Sequence, residues 1–370
     1  MNDFPAIVID NGSGSMRGGL SGEELPQLIF PTCVEQPRRN NLLIGLNNHY
    51  RRHVGKDALA KRGIMTIKSP LEKGIIRNFD EMEHIWQYLF VKQMKKEPEE
   101  QPMIMTEVCW NPKENREKTT QMMFEIFNLI HFQLSNQSAL SIYASGRTSG
   151  IVLDCGQTKT SSVAVYEGLA FSDSASFVDY SGSQLTDQIF KLLNEKSISF
   201  TPSSYNREAI NQAKEQHCYA ALNFGAEMQK EESLLEKSFQ LPDGETITIG
   251  KERFKAVEPY FDSTILNLKN CVQNSIFFPI FQNDFSISSL FYSNIILSGG
   301  CSLFPGMPER IEKELRLNFE KIKVVAPPHR HHSAWIGASL FSSLSTFKAF
   351  CISKEEYDEY GPPIVNTKCF

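Results

Sequence analysis

Two acids in this chain each close a buried-strand pattern and each lead into a glycine turn. Asp10 follows Ala6-Ile7-Val8-Ile9 and opens Asn11-Gly12-Ser13-Gly14. Asp154 follows Gly150-Ile151-Val152-Leu153 and opens Cys155-Gly156-Gln157. A phosphate chain is held best by backbone N–H groups, which need close approach with no Cβ in the way. Glycine supplies that, and Ser13 adds a hydroxyl donor. Arg17 can place a positive charge on the phosphates. An acid at a strand end does not face phosphate directly. It can hold a magnesium ion through water, and the ion then bridges to phosphate. Asp10 and Asp154 are both placed for this. One such turn alone reads equally well as an ordinary hairpin, so the pairing is what points to phosphate. A third element joins them. Asn294-Ile295-Ile296-Leu297 reads as a buried strand entering Ser298-Gly299-Gly300-Cys301-Ser302, with Phe304-Pro305-Gly306 beyond. Paired glycines let a ring or a phosphate lie against backbone, and Phe304 can stack on a base. By itself this too reads as a turn.

The elements that must position these residues repeat. Each turn is followed by a second short run, Arg17–Leu20 in the first case and Ser161–Tyr166 in the second, the latter with clear strand character. Two strand–turn–strand units so far apart suggest a duplicated domain. Amphipathic helical stretches are predicted at 115–128, 184–194 and 204–222. Strands alternating with helices imply an α/β architecture with partly parallel sheets. The polar stretch 92–101 reads as a helix end stopped by Pro98, and 229–237 as the top of a helix far from any core.

The bulk properties exclude several classes. The chain has 370 residues, enough for two or more domains, and a net charge of -5. That balance argues against direct nucleic-acid or membrane-surface binding. No apolar run is long enough to span a bilayer, and Met1–Pro5 lacks the layout of a signal peptide. The eight cysteines show no CxxC spacing. They read as reduced, mostly buried thiols of a cytosolic or nuclear protein.

A family resemblance then appears. Asp10–Gly14 (DNGSG), Tyr143–Gly146 (YASG), Gly168, Leu297–Gly300 (LSGG), Ser333–Gly337 (SAWIG) and the terminal Lys368-Cys369-Phe370 resemble actin. So do Lys61–Ile64, Asn111–Lys118 (NPKENREK), Leu241–Gly250 (LPDGETITIG) and Ile352–Asp358 (ISKEEYD). The likeness runs almost end to end. It is specific to actins rather than to the wider superfamily of sugar kinases and heat-shock ATPases. It implies the actin-like ATPase fold, with two duplicated large domains of four subdomains around a central nucleotide cleft. The first domain would hold 1–137 and 334–370, with an outer subdomain at about 33–69. The second would hold 138–333, with an outer subdomain at about 181–260. The implied cofactors are ATP or ADP and magnesium. Carried over residue by residue, the nucleotide contacts are Ser13, Gly14, Arg17, Gly156, Gln157, Gly182, Lys214, Glu215, Gly300, Phe304 and His331. Asp10 and Asp154 would hold the metal through water, and Gln137 would position the attacking water.

The departures from that pattern cluster. Arg17 stands where actins have Lys, Phe304 where they have Tyr, and His331 where they have Lys. In the second turn actins read Asp-Ser-Gly-Asp-Gly with a His a few residues on; here Gln157 replaces an acid, Thr158 a Gly and Ser161 the His. Those changes predict nucleotide binding with weak or lost hydrolysis, and metal binding that is weakened. Only Asp3 remains of the acidic N-terminus that attracts myosin, which argues against myosin binding. Lys73 takes the place of a modified His that senses phosphate. The basic outer loop Arg38–His53 reads either as a solvated loop or as an altered contact with a neighbouring subunit or other acidic partner. The segment Asp284–Ser289 has lost charges of the filament contact. Two functions follow. One is a structural actin of the cytoplasmic cytoskeleton, self-associating into filaments and meeting actin-binding proteins. The other is a non-polymerising actin-related subunit fixed in a motor, ciliary or chromatin complex. An enzyme such as a sugar kinase has no supporting acidic constellation.

Overall fold

The computed structural model describes residues 4–37, 52–96, 98–196, 204–241, 244–283, 285–318 and 321–369. The chain divides into two compact units. The first comprises Met1–Thr148, Val165–Ser172 and His332–Phe370, and the second Ser149–Ala164 and Asp173–His331.

The first unit is built on a six-stranded sheet in the order 352–353, 131–136, 103–107, 7–11, 15–20, 28–31. Strand Ile7–Asn11 runs parallel to Met103–Glu107, which runs parallel to His131–Asn136. On its other side Ile7–Asn11 pairs antiparallel with Ser15–Leu20, and that strand with Leu28–Pro31. Alternate residues of a strand face opposite sides of its sheet. Ile7, Ile9, Met103, Met105, Phe132 and Leu134 accordingly share one core, and Val8 and Ile104 belong to another. With both faces covered, the central strands read as unbroken apolar runs rather than alternating ones.

Helices Phe79–Gln87 and Lys113–Glu125 supply the first core with Met82, Ile85, Trp86, Met122, Met123 and Phe124. Each such side chain, fully buried, contributes about 1.5–3 kcal/mol of transfer free energy. Helices Gln137–Ala144 and Ser333–Ser342 cover the second face through Leu140, Trp335 and Ala338. Asn78 and Asn136 start two of these helices by accepting from Glu81 N at 3.1 Å and Ser138 N at 2.8 Å.

The second unit repeats the arrangement. Its sheet runs 160–166, 150–155, 295–298, 324–325, with Ser176–Val178 antiparallel to the first of these. Gly150–Cys155 is parallel to Ile295–Ser298, and that strand to Val324–Val325. Each unit therefore places a central strand between a hairpin partner and two parallel neighbours. This is the duplicated α/β plan that the two sequence echoes predict. Helix Gly182–Glu195 buries Leu185, Thr186, Ile189, Phe190 and Leu193, spaced for one helical face. Arg310 binds Glu258 through two N–H groups at 2.8 and 3.1 Å in the interior of this unit.

Local expectations are met or revised for physical reasons. The predicted helices at 115–128, 184–194 and 204–222 are found at Lys113–Glu125, Gly182–Glu195 and Ser204–His217. The third stops early, and soon after it Ala220 N donates to Pro305 O at 2.8 Å. Pro98 does not end a helix. Lys95, at φ 52, closes the preceding π-helical segment, and Pro98 opens a short 3-10 turn. The 229–237 segment is not remote from a core, since Leu235 packs with Ala221 and Phe254. None of the eight cysteines lies in a disulfide, and seven are buried. Most of the Arg38–His53 loop, and Asp284, lie outside the described residues. Among the described residues no helix is long and apolar enough to cross a membrane.

Candidate functional site

In the first unit, Asp10 lies opposite Arg17 across the hairpin, and the two form an ion pair of 2.7 Å. Asp10 is almost fully buried, and its other oxygen accepts from Thr106 Oγ1 at 2.7 Å. Arg17 Nε donates to His332 Nδ1 at 3.0 Å. The turn itself is pinned from outside. Thr32 Oγ1 donates to Gly12 O at 2.6 Å, and Gly74 N donates to Ser13 Oγ at 3.2 Å. Trp86 Nε1 donates to Asn11 Oδ1 at 3.3 Å. Gly12 must be glycine, because a Cβ there would lie 2.5 Å from Ser15 O and 3.1 Å from the Arg17 Nη1 atom. The Ser13 hydroxyl keeps its hydrogen for a further acceptor after accepting from Gly74. Gln137 opens helix Gln137–Ala144 in this same unit and is half-buried.

In the second unit the turn between Gly150–Cys155 and Thr160–Tyr166 is closed by Gly156 N donating to Lys159 O at 2.9 Å. Its carbonyls are then bound by the start of helix Gly182–Glu195. Gly182 N donates to Gly156 O at 3.0 Å and Ser183 N to Gln157 O at 2.8 Å. Ser181 Oγ also donates to Gln157 O at 2.9 Å. A Cβ on Gly182 would meet Gln157 Oε1 at 2.6 Å, so the Gln157 amide folds over this glycine. Ser161 is buried opposite Phe177 in the strand ladder. Asp154 sits against Gly299, whose Cβ would lie 2.5 Å from Asp154 Oδ1 and from Cys155 O. Gly300 is open on its Cβ side. Burial pushes the Cys155 thiol well up, helped by the neighbouring Cys301 and Asp154, so both buried thiols stay protonated.

The adenosine candidates also fall in the second unit. Lys214 is 2% exposed, and its ammonium donates to Gly182 O at 3.1 Å, Thr186 Oγ1 at 3.2 Å and Asn211 Oδ1 at 2.6 Å. Those three bonds match its three hydrogens. The ammonium thus ties two helices together at the base of the Gln157 turn. Glu215 lies at the surface, accepting from Asn211 Nδ2 at 3.1 Å; surrounding protein displaces water from it and raises its carboxyl. Phe304 is 4% exposed, which leaves little of its ring for stacking on a base. His331 is half-buried at the end of this unit.

Sequence reasoning missed the residues that brace the first turn: Thr32, Gly74, Thr106 and His332. They lie 20, 61, 96 and 315 residues from their partners. Only the parallel pairing of Ile7–Asn11 with Met103–Glu107, unreadable from local pattern, brings Thr106 to Asp10.

The family model for actin matches residues 1–209 and 203–370, which together span the chain. Members of that family generally bind ATP or ADP with magnesium. With both hairpins, the repeated sheet plan and a match of this extent, the chain belongs to the actin family.

Proposed function

We propose that this chain is a nucleotide-holding structural protein of the cytoskeleton in which ATP hydrolysis is weak or lost. The observation that carries the reading is the second turn. Gln157 brings a neutral amide that folds over Gly182, and Ser161 is a buried serine on a strand. Neither supplies an acid or a base to an attacking water, and general acid–base groups are worth about a hundredfold or more in rate. The first turn keeps Ser13, Gly14 and Arg17 for the phosphates. Gly156, Gly182, Gly300 and the adenosine-side residues Glu215 and His331 complete the contacts in this reading, with Lys214 fixing the helices behind them and with outer subdomains at 33–69 and 181–260. ATP is then a resident ligand that stiffens the fold rather than a fuel.

Single-turnover release of phosphate from bound ATP tests this. Release about a hundredfold slower than from a conventional actin is expected; release at the conventional rate overturns it. A pelleting assay with ATP sorts the assembly state. Filaments in the pellet support a cytoplasmic cytoskeletal polymer. A monomer that stays in the supernatant supports the alternative, a subunit fixed in a larger complex, which the altered outer loop and catalytic loop favour.

A further inference from the structure

Resting on the nucleotide reading, one departure changes what the site needs. Asp10 is one of the two acids, with Asp154, that the family pattern assigns to hydrated magnesium, yet both of its oxygens are engaged. One accepts from the Thr106 hydroxyl and the other from the Arg17 guanidinium, each at 2.7 Å. The carboxylate side chain is 6% exposed and the guanidinium 16%. The approach to Asp10 that water on a metal would use is covered by a fixed cation. A divalent ion there would have to compete for a carboxylate already paired with a guanidinium that His332 holds in place. On the other hairpin, Gln157 brings an amide in place of an acid. Asp154 stays as the second acid of the pattern, but with Asp10 engaged and Gln157 neutral the set as a whole does not fit the family's metal.

They do fit a different arrangement. The Arg17 side chain is locked by two bonds made through different nitrogens, Nη1 to Asp10 and Nε to His332. His332 accepts at Nδ1, so that nitrogen carries no proton. Among the described residues no group accepts from Nη2, which leaves its two N–H groups in a fixed orientation. The guanidinium lies over Gly12, within 3.1 Å of where a Cβ would stand, at the turn whose backbone and Ser13 face phosphate. A guanidinium held in this way presents its outer nitrogen, Nη2, as a charge-assisted donor to a phosphate oxygen. A lysine has one nitrogen and cannot bridge Asp10 and His332 through separate atoms.

We infer that Arg17, held between Asp10 and His332, supplies the positive charge that a divalent ion would otherwise bring to the nucleotide phosphates, so that the chain binds ATP without magnesium. The test is ATP binding to the full chain by titration calorimetry, in magnesium and in EDTA with no divalent ion. Affinities in the two media within threefold of each other are expected. The variant Arg17→Lys is expected to bind at least tenfold more weakly in EDTA than in magnesium, with a thermal melt showing that it folds. A loss of more than threefold for the unaltered chain in EDTA overturns the inference. So does an Arg17→Lys variant as indifferent to EDTA as the unaltered chain. Absence of ATP binding in both media overturns the nucleotide reading itself, and is distinct from either.

Discussion

The two hairpins share a strand plan and differ in how their turns are held. The turn after Asp10 is fixed by side chains from far along the chain: Thr32, Thr106, Trp86 and His332. The turn after Asp154 is fixed mainly by backbone, through N–H groups of Gly182 and Ser183 and the close approach of Gly299. Backbone bracing does not depend on which side chain the braced residue carries. The second turn can therefore hold its shape while Gln157, Thr158 and Ser161 depart from the family pattern. In the first turn the side chains are themselves the braces. Most of its motif is kept, and the one exchange, Arg17, is knitted into Asp10 and His332. The departures from the family pattern gather at the hairpin where they cost the fold least.

The comparison breaks first at Gly299. Its φ of 83 lies in the left-handed region, and a Cβ would press on Asp154 Oδ1 and Cys155 O at 2.5 Å. The Asp154 side chain can turn away, but the Cys155 backbone cannot give way without moving the strand end. Gly299→Ala should destabilise the second unit by about 3 kcal/mol or more, combining backbone strain with overpacking. Gly300→Ala, next along the chain, meets nothing within 4 Å and should stay within about 0.5 kcal/mol. Urea unfolding followed by hydrogen exchange in 150–164 would separate the two. Equal losses would show that this turn is not held by the Gly299 approach.

Much of this plan was legible in the sequence. Strand–glycine turns at Asp10 and Asp154 were visible because a doubly covered strand leaves an apolar run and a tight turn leaves glycine. Three amphipathic helices followed from periodicity alone. What stayed hidden was long-range. Nothing near Asp10 announces Thr106 or His332, because hydrogen-bond partners across a parallel sheet are set by topology. Burial was hidden as well: Phe304 and Lys214 carry the right chemistry for a base or a ribose, but packing has taken most of their surface. Pro98 misled for a local reason, since a left-handed Lys95 had already ended the helix.

A middle-sized effect belongs to the first hairpin. Thr32 is buried and its hydroxyl donates to Gly12 O. Thr32→Val keeps the shape and removes the donor, leaving that carbonyl without it. A loss of about 1–2 kcal/mol is expected, seen as a lower urea midpoint with unchanged slope and as faster exchange of the amides at 12–16. No change would mean that Trp86, Thr106, His332 and the Asp10–Arg17 pair hold the turn without Thr32, and the side-chain account of this hairpin would drop that brace.

The smallest effect is the most discriminating. Gln157→Asp restores the acid that the family carries, at a turn whose structural bonds run through the Gln157 carbonyl and not its amide. The Ser183 N–H and the Ser181 hydroxyl would still find that carbonyl. The side chain is half-buried, so a new carboxylate can reach water. A change of about 0.5 kcal/mol or less is expected. If the second hairpin needed its present side chains as the first does, the same substitution would cost several times more, because it would break a brace as well as add a charge beside Asp154. Near-neutral stability with phosphate release still slow would place the remaining deficit at Ser161, a buried strand position that carries no imidazole.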